Sequence, residues 1–242
     1  LAVACNGAPE AVDGGTAART HARFAPSADP MDFGAVPWPD DLYLDDAGRI
    51  AVGALPSEAA AVPAEYPGSL RDALAELDGF SATAPVYFSF PTGSLDPATL
   101  PANPAASLRE DSTVFLVDAD PASPTAFERV PVVVRWRSET GQLALRPWDG
   151  HPLRPGRRYA AVVTTGVRDD RGEPIGPAPA FAAIRDAERR PAGAVEAEAY
   201  ELYTPVLASL ASNGTPRSTV AALAVFTVQR VEDDLRDARE LV

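Results

Sequence analysis

A mainly β protein, a sandwich of two antiparallel sheets with a short helix insertion and a C-terminal helical extension, is what this sequence predicts, and three observations predict it. Short runs rich in β-branched and aromatic residues, bounded by turn residues, recur over residues 86–90, 113–117, 129–137, 142–146 and 158–165, and read as strands whose successive side chains take opposite faces. The 242 residues include 25 prolines and 17 glycines but only 7% aromatics. That composition favours many turns and short strands, because proline is excluded from helix interiors and central strands. The third observation is the stretch RPWDGHPLRPGRRYAAVVTTGV, residues 146–167, in which Leu153, Pro155 and Gly156 set a tight turn and Tyr159 opens a strand. A tyrosine so placed reaches back with its phenol to upstream backbone, the tyrosine corner of an immunoglobulin-like (Ig-like) sandwich.

The chain divides into a flexible tether (residues 1–28), the Ig-like β-sandwich (29–187) and a helical linker (188–242). Residues 24–46 are dense in proline and aspartate, with Phe33, Trp38, Leu42, Tyr43 and Leu44 as apolar anchors, and read as an ordered loop packed on the sandwich. A turn at 46–48 and a short strand at 49–52 follow. Ser69 and Asp72 have capping-box spacing, Leu70, Ala73, Leu74 and Leu77 form an apolar stripe, and Gly79 supplies the stop of a short helix. In the run 129–137, Val130, Val132, Val134 and Trp136 share one face, and residues 138–141 turn the chain into the next strand.

Beyond Pro191 the period changes. Val195, Ala199, Leu202, Val206 and Leu210 fall at helical spacing, and Pro205 interrupts them, which predicts a kinked or split helix ending at Asn213-Gly214. Residues 220–229 are apolar throughout and fit a buried strand or a buried helix, with strand the preferred reading. The last residues, 229–242, are amphipathic, with Val231, Leu235 and Ala238 on one side and Glu232 four residues before Arg236. No cap ends that helix, so the natural protein is expected to continue beyond Val242.

Charge and residue types narrow the function. A net charge of −13 repels phosphate backbones and anionic headgroups, so nucleic acid is not an expected partner. All 21 basic residues are arginine, a compositional bias of high-GC bacterial genomes. A single cysteine allows neither an intrachain disulfide nor a cysteine zinc cluster. Asp45-Asp46, Asp118 with Asp120, and Asp169-Asp170 lack the spacing of a calcium loop and read as solvated turn carboxylates, calcium being the alternative. No metal or cofactor is expected. A serine hydrolase needs a G-x-S-x-G elbow with a histidine in reach; no such pentapeptide occurs, and His21 and His151 are the only histidines. No catalytic residue is therefore assigned within this chain.

The opening LAVACNG resembles a bacterial lipobox, with Ala4 and Cys5 at the matching positions and Ala2 where leucine is usual. That resemblance implies lipidation at Cys5, with the small, polar residues after it serving as the tether. Three further segments, DPMDFGAVPWPDDLYLDDAGRI, LDGFSATAP and LRPWDGHPLRPGRRYAAVVTTGVRDDRGEPIGPAPAF, look like the N-terminal domain of bacterial virulence-factor lipases and related surface lipoproteins. AVFTVQ is similar to the strand that leads toward that family's catalytic domain. The resemblance implies a noncatalytic module of an exported, lipid-anchored protein, placing a downstream lipase or esterase domain of the same polypeptide at the cell envelope. None of the family's catalytic residues carries over to these positions. The alternative is a module binding carbohydrate, peptide or protein through an aromatic platform of Trp38, Tyr43 and Trp148. A self-contained enzyme is the third reading, opposed by the missing nucleophile motif.

Overall fold

The structure, a computed structural model, describes residues 19–26, 34–51, 72–231 and 239. Seven strands are found among them: β1 (Val86–Ser89), β2 (Val114–Asp118), β3 (Arg129–Val130), β4 (Val132–Arg137), β5 (Gln142–Pro147), β6 (Arg158–Thr164) and β7 (Val220–Thr227). Three α-helices lie wholly within the described residues: α1 (Pro104–Ser107), α2 (Pro179–Arg185) and α3 (Ala194–Ser212). One sheet has the order β1-β5-β4 and the other β3-β2-β6-β7, and every pairing is antiparallel. The protein is thus sheet-rich, with helices packed onto it.

The strand sequences explain which sheet is wrapped. Strands β2 (VFLVD) and β6 (RYAAVVT) are buried on both faces, as is β7 (VAALAVFT), and such continuous apolar runs mark strands covered on both sides. Strands β1 and β4 retain exposed or half-exposed alternate positions, the pattern of a sheet with one face toward water. The run 129–137 does not stay in one sheet. Arg129 and Val130 pair with β2, whereas Val132 onward pairs with β5, because Pro131, with no N–H to donate, is where the chain bends across.

A helical layer completes the core. Phe24, Phe181 of α2 and Tyr203 of α3 form an aromatic cluster with centroid separations of 5.5, 5.7 and 6.0 Å. Ala22 and Phe24 are buried in the same hydrophobic core as β6 and β7. Both belong to the core although they lie inside the span assigned to the tether. The boundary at 187/188 also moves: β7 pairs with β6 over its length and α3 buries Tyr203, Val206, Leu207 and Leu210, so the fold runs on to residue 228. The span 188–242 thus holds a helix followed by the strand that the sequence predicts for residues 220–229, and that strand returns to the sheet.

Helix α3 is continuous through Pro205, not split. Glu201, whose carbonyl loses its usual donor to the proline, is solvent-exposed, where water can replace the bond. Its buried face also differs from the stripe read in the sequence: Tyr203 is fully buried, whereas Val195 and Leu202 are half-exposed. Of the helix expected near residue 70, residues 72–75 are helical and Ser69 and Leu70 lie outside the described residues, as do Val52 and nearly all of the final amphipathic segment.

Candidate functional site

Two places concentrate polar chemistry, and the fold builds each differently. The first is the Pro37–Asp41 segment, PWPDD. Trp38 pairs with Tyr87 as an isolated bridge beside β1, and this sets the next residues against β7. Asp40 is fully buried. Its Oδ2 accepts the Tyr203 hydroxyl at 2.9 Å and the Val225 N–H at 3.0 Å, and its Oδ1 accepts the Leu42 N–H at 3.0 Å. Asp41 accepts the Thr227 N–H at 2.7 Å and the Thr227 hydroxyl at 2.8 Å, with Arg158 Nε 3.5 Å away.

Burial pushes the pKa of Asp40 well above the usual carboxylate range, against the hydrogen bonds that would lower it. The same cause raises Asp41 and, together with the adjacent Asp40, Tyr203. The outward N–H groups of Val225 and Thr227 end on these two acids, and that of Gln229 on the Phe80 carbonyl at 2.9 Å. Consecutive acids thus cap the outer edge of β7, which leaves this row of donors closed to another strand.

The second place is a groove of about 290 Å³ between the β2–β3 turn and the β5–β6 loop, lined by Asp118, Thr125, Glu128, His151, Arg154 and Tyr159 among others. Asp118, buried, accepts the Ser123 and Thr125 hydroxyls at 2.5 and 2.7 Å and the Asp120 N–H at 3.1 Å. Tyr159 is 3% exposed and its oxygen accepts the Arg154 N–H at 3.0 Å; burial raises its pKa. Trp148 is 47% exposed and stacks on the lining residue His151 with centroids 5.3 Å apart and planes at 13°.

The residues singled out in the sequence separate accordingly. Leu153, Pro155 and Gly156 form the turn before β6; Gly156 has φ +68° and its N–H donates to the Val228 carbonyl at 2.9 Å. Tyr159 reaches back to the backbone as an acceptor, not as a donor. Trp38, Tyr43 and Trp148 do not make one platform. Tyr43 has no exposed surface, and Trp38 packs edge-on between Tyr43 and Phe80 at 5.0 and 5.2 Å, whereas Trp148 is exposed and stacks on His151. Proline-rich sequence around Trp38 reads equally well as a surface loop or as a core strap, and burial of Asp40 selects the strap. Cys5 lies outside the described residues.

The remaining titratable groups are tied into turns. Among the described residues each histidine pairs with a backbone carbonyl, His21 with that of Arg19 and His151 with that of Asp149, and neither with a hydroxyl or thiol. Asp169 is buried in its turn. Burial pushes its pKa up, but the Arg171 guanidinium, the Glu173 and Arg171 N–H groups and the Thr20 hydroxyl outweigh it and hold the carboxyl at about 2. Asp45 accepts the Ala47 and Arg49 N–H groups. Among the described residues no group of three or more histidine, cysteine, aspartate or glutamate side chains is placed to hold a metal ion.

Sequence reading missed Asp40 and Tyr203, which sit 163 residues apart; a signal was available in Asp40-Asp41, charged residues embedded among Trp38, Leu42 and Tyr43.

No protein-family model matches the chain, and no curated protein matches it. Among solved structures, the N-terminal part of the bacterial S-layer protein SbsC matches at 15% identity and a TM-score of 0.27, covering 46% of this chain and 24% of that one. Domains 1–6 of the surface layer protein SbsC match at 16% identity and a TM-score of 0.27, covering 46% of this chain and 14% of that one.

Proposed function

We propose that this chain is a noncatalytic, Ig-like module of an exported bacterial protein, lipid-anchored through Cys5, that positions a downstream lipase- or esterase-type domain of the same polypeptide at the cell envelope. The observation that carries the scaffold reading is the use of the buried and half-buried acids. Asp40, Asp41 and Asp169 each accept backbone N–H groups from distant or turn residues, so their chemistry is spent on holding the chain together.

The Arg154–Tyr159 hydrogen bond supports the Ig-like part of the reading, as does strand membership. Lettered in chain order, the first, fourth and fifth strands share one sheet and the third, sixth and seventh the other, as in constant-type immunoglobulin domains. The second strand sits with the latter set here, not with the former.

The tests are separate for anchor and module. A Cys5→Ser variant expressed with its natural signal loses acyl labelling and leaves the membrane fraction; labelling that persists removes Cys5 as the anchor. The purified chain turns over no short-chain p-nitrophenyl ester, whereas the natural polypeptide extended beyond Val242 does. Turnover by the chain alone, abolished by His151→Ala, overturns the noncatalytic reading.

A further inference from the structure

We infer that the groove beside Trp148 and His151 is a binding site for the end of a neutral saccharide, a function that goes beyond the scaffold reading and does not depend on it. The first observation is the unused donor. Tyr159 is 3% exposed, its oxygen accepts the Arg154 N–H, and its own proton has no acceptor among the described residues. A buried hydroxyl with an idle proton is costly unless something in the space it borders takes it, and the space it borders is this groove.

A second, independent observation is the aromatic shelf. The Trp148 indole, 47% exposed, is stacked at 13° on the imidazole of His151, which lines the groove, and this pair offers a flat apolar surface next to it. Pyranose rings have one apolar face and hydroxyls around the edge, the combination such a shelf and groove complement.

The lining favours a neutral ligand. Two acids, Asp118 and Glu128, stand against two arginines, Arg129 and Arg154, so the lining offers no net charge to hold an ionic ligand. Acceptors (Glu128) and donors (Arg154, the Tyr159 proton) stand side by side, and a ligand whose every hydroxyl both donates and accepts can satisfy them together. A volume of about 290 Å³ lies at the lower end of the ~300–1,000 Å³ of small-molecule sites, which suits a terminal sugar residue and not a long chain laid along a cleft.

The experiment is saturation-transfer NMR on the whole chain against methyl glycosides of neutral hexoses and N-acetylhexosamines at millimolar concentration, with sialic acid and glucuronic acid alongside. At least one neutral glycoside binds and perturbs tryptophan fluorescence; Trp148→Ala, a surface change that leaves the fold intact, weakens it roughly tenfold. Tyr159→Phe weakens it at a temperature well below that variant's own melting midpoint, and Glu128→Ala serves in its place if the phenylalanine variant does not fold. Failure of every neutral glycoside to bind overturns the site. So does binding unchanged in both Trp148→Ala and Glu128→Ala, or binding confined to the acidic sugars.

Discussion

Tyr203 in α3 donates its phenolic proton to Asp40 across 2.9 Å, joining residues 163 positions apart in the chain. Val225 donates to the same oxygen, so a helix, a strand and the proline-rich strap meet on one carboxyl group. The helical layer is thereby fixed to the sheet by a polar contact inside an apolar core.

Removing either partner leaves the other stranded. Tyr203→Phe deletes one hydrogen bond to a charged or charge-prone group and should cost about 1.5–3 kcal/mol. Asp40→Ala strands three donors at once and should cost more than the tyrosine change, on the order of 3–5 kcal/mol. Urea midpoints at neutral pH measure both; equal and small losses would show that Asp40 does not join the elements energetically.

Stability should fall as pH rises out of the acid range. Asp40 and Asp41 have folded pKa values raised by burial, so between about 4, the unfolded value, and those raised values the folded chain binds protons that the unfolded chain has lost. Stability declines through that window and levels above it. Asp169, held at about 2, acts with the opposite sign: its contribution is present above about 4 and is lost as pH falls toward 2. Unfolding midpoints followed upward from about pH 4 should decline in the wild type and decline less in Asp40→Asn, where only Asp41 remains to titrate. An unchanged slope in that variant assigns the decline elsewhere.

Tyr159→Phe removes the acceptor of the Arg154 N–H, leaving a part-buried donor without its partner. The cost should be about 1–3 kcal/mol, read as a lowered melting midpoint. An unchanged midpoint means that water reaches the freed N–H.

Gly79 lies so close to the end of β7 that an added Cβ would stand 2.6 Å from the Thr227 carbonyl oxygen and 2.8 Å from the Gln229 nitrogen. Gly79→Ala must therefore push the parallel bridge between Phe80 and Val228 apart. Amide exchange at Phe80 and Gln229, whose N–H groups bond across that bridge, should accelerate while β2 and β6 stay protected. Unaltered exchange would mean that the backbone shifts without breaking the bridge.

The sequence was most legible where side chains obey a local period. The β1, β2, β5 and β6 runs were found within a residue of their ends, and the 220–229 run proved to be β7 (Val220–Thr227), because alternation and continuous apolar runs need no knowledge of distant partners. Long-range facts were not legible. The bend at Pro131 depends on which neighbours each half of the strand finds, and the burial of Tyr203 on an acid supplied by another segment. Gly79 was read as a helix stop, but its lack of a side chain serves a backbone approach from residue 227. Of the aromatic platform, composition could name three rings but not say that Tyr43 is buried beneath Trp38 while Trp148 faces water.

The position of β7 also orders the folding of the chain. Its contact with Asp40 closes a loop of 185 residues, an entropic cost of about 5 kcal/mol from the logarithmic term alone. Asp40 and β6 are synthesised long before the strand that joins them, and the edge of β6 waits for it. A nascent chain ending before residue 220 holds an uncovered strand edge, the kind of surface that chaperones recognise and that aggregates form upon.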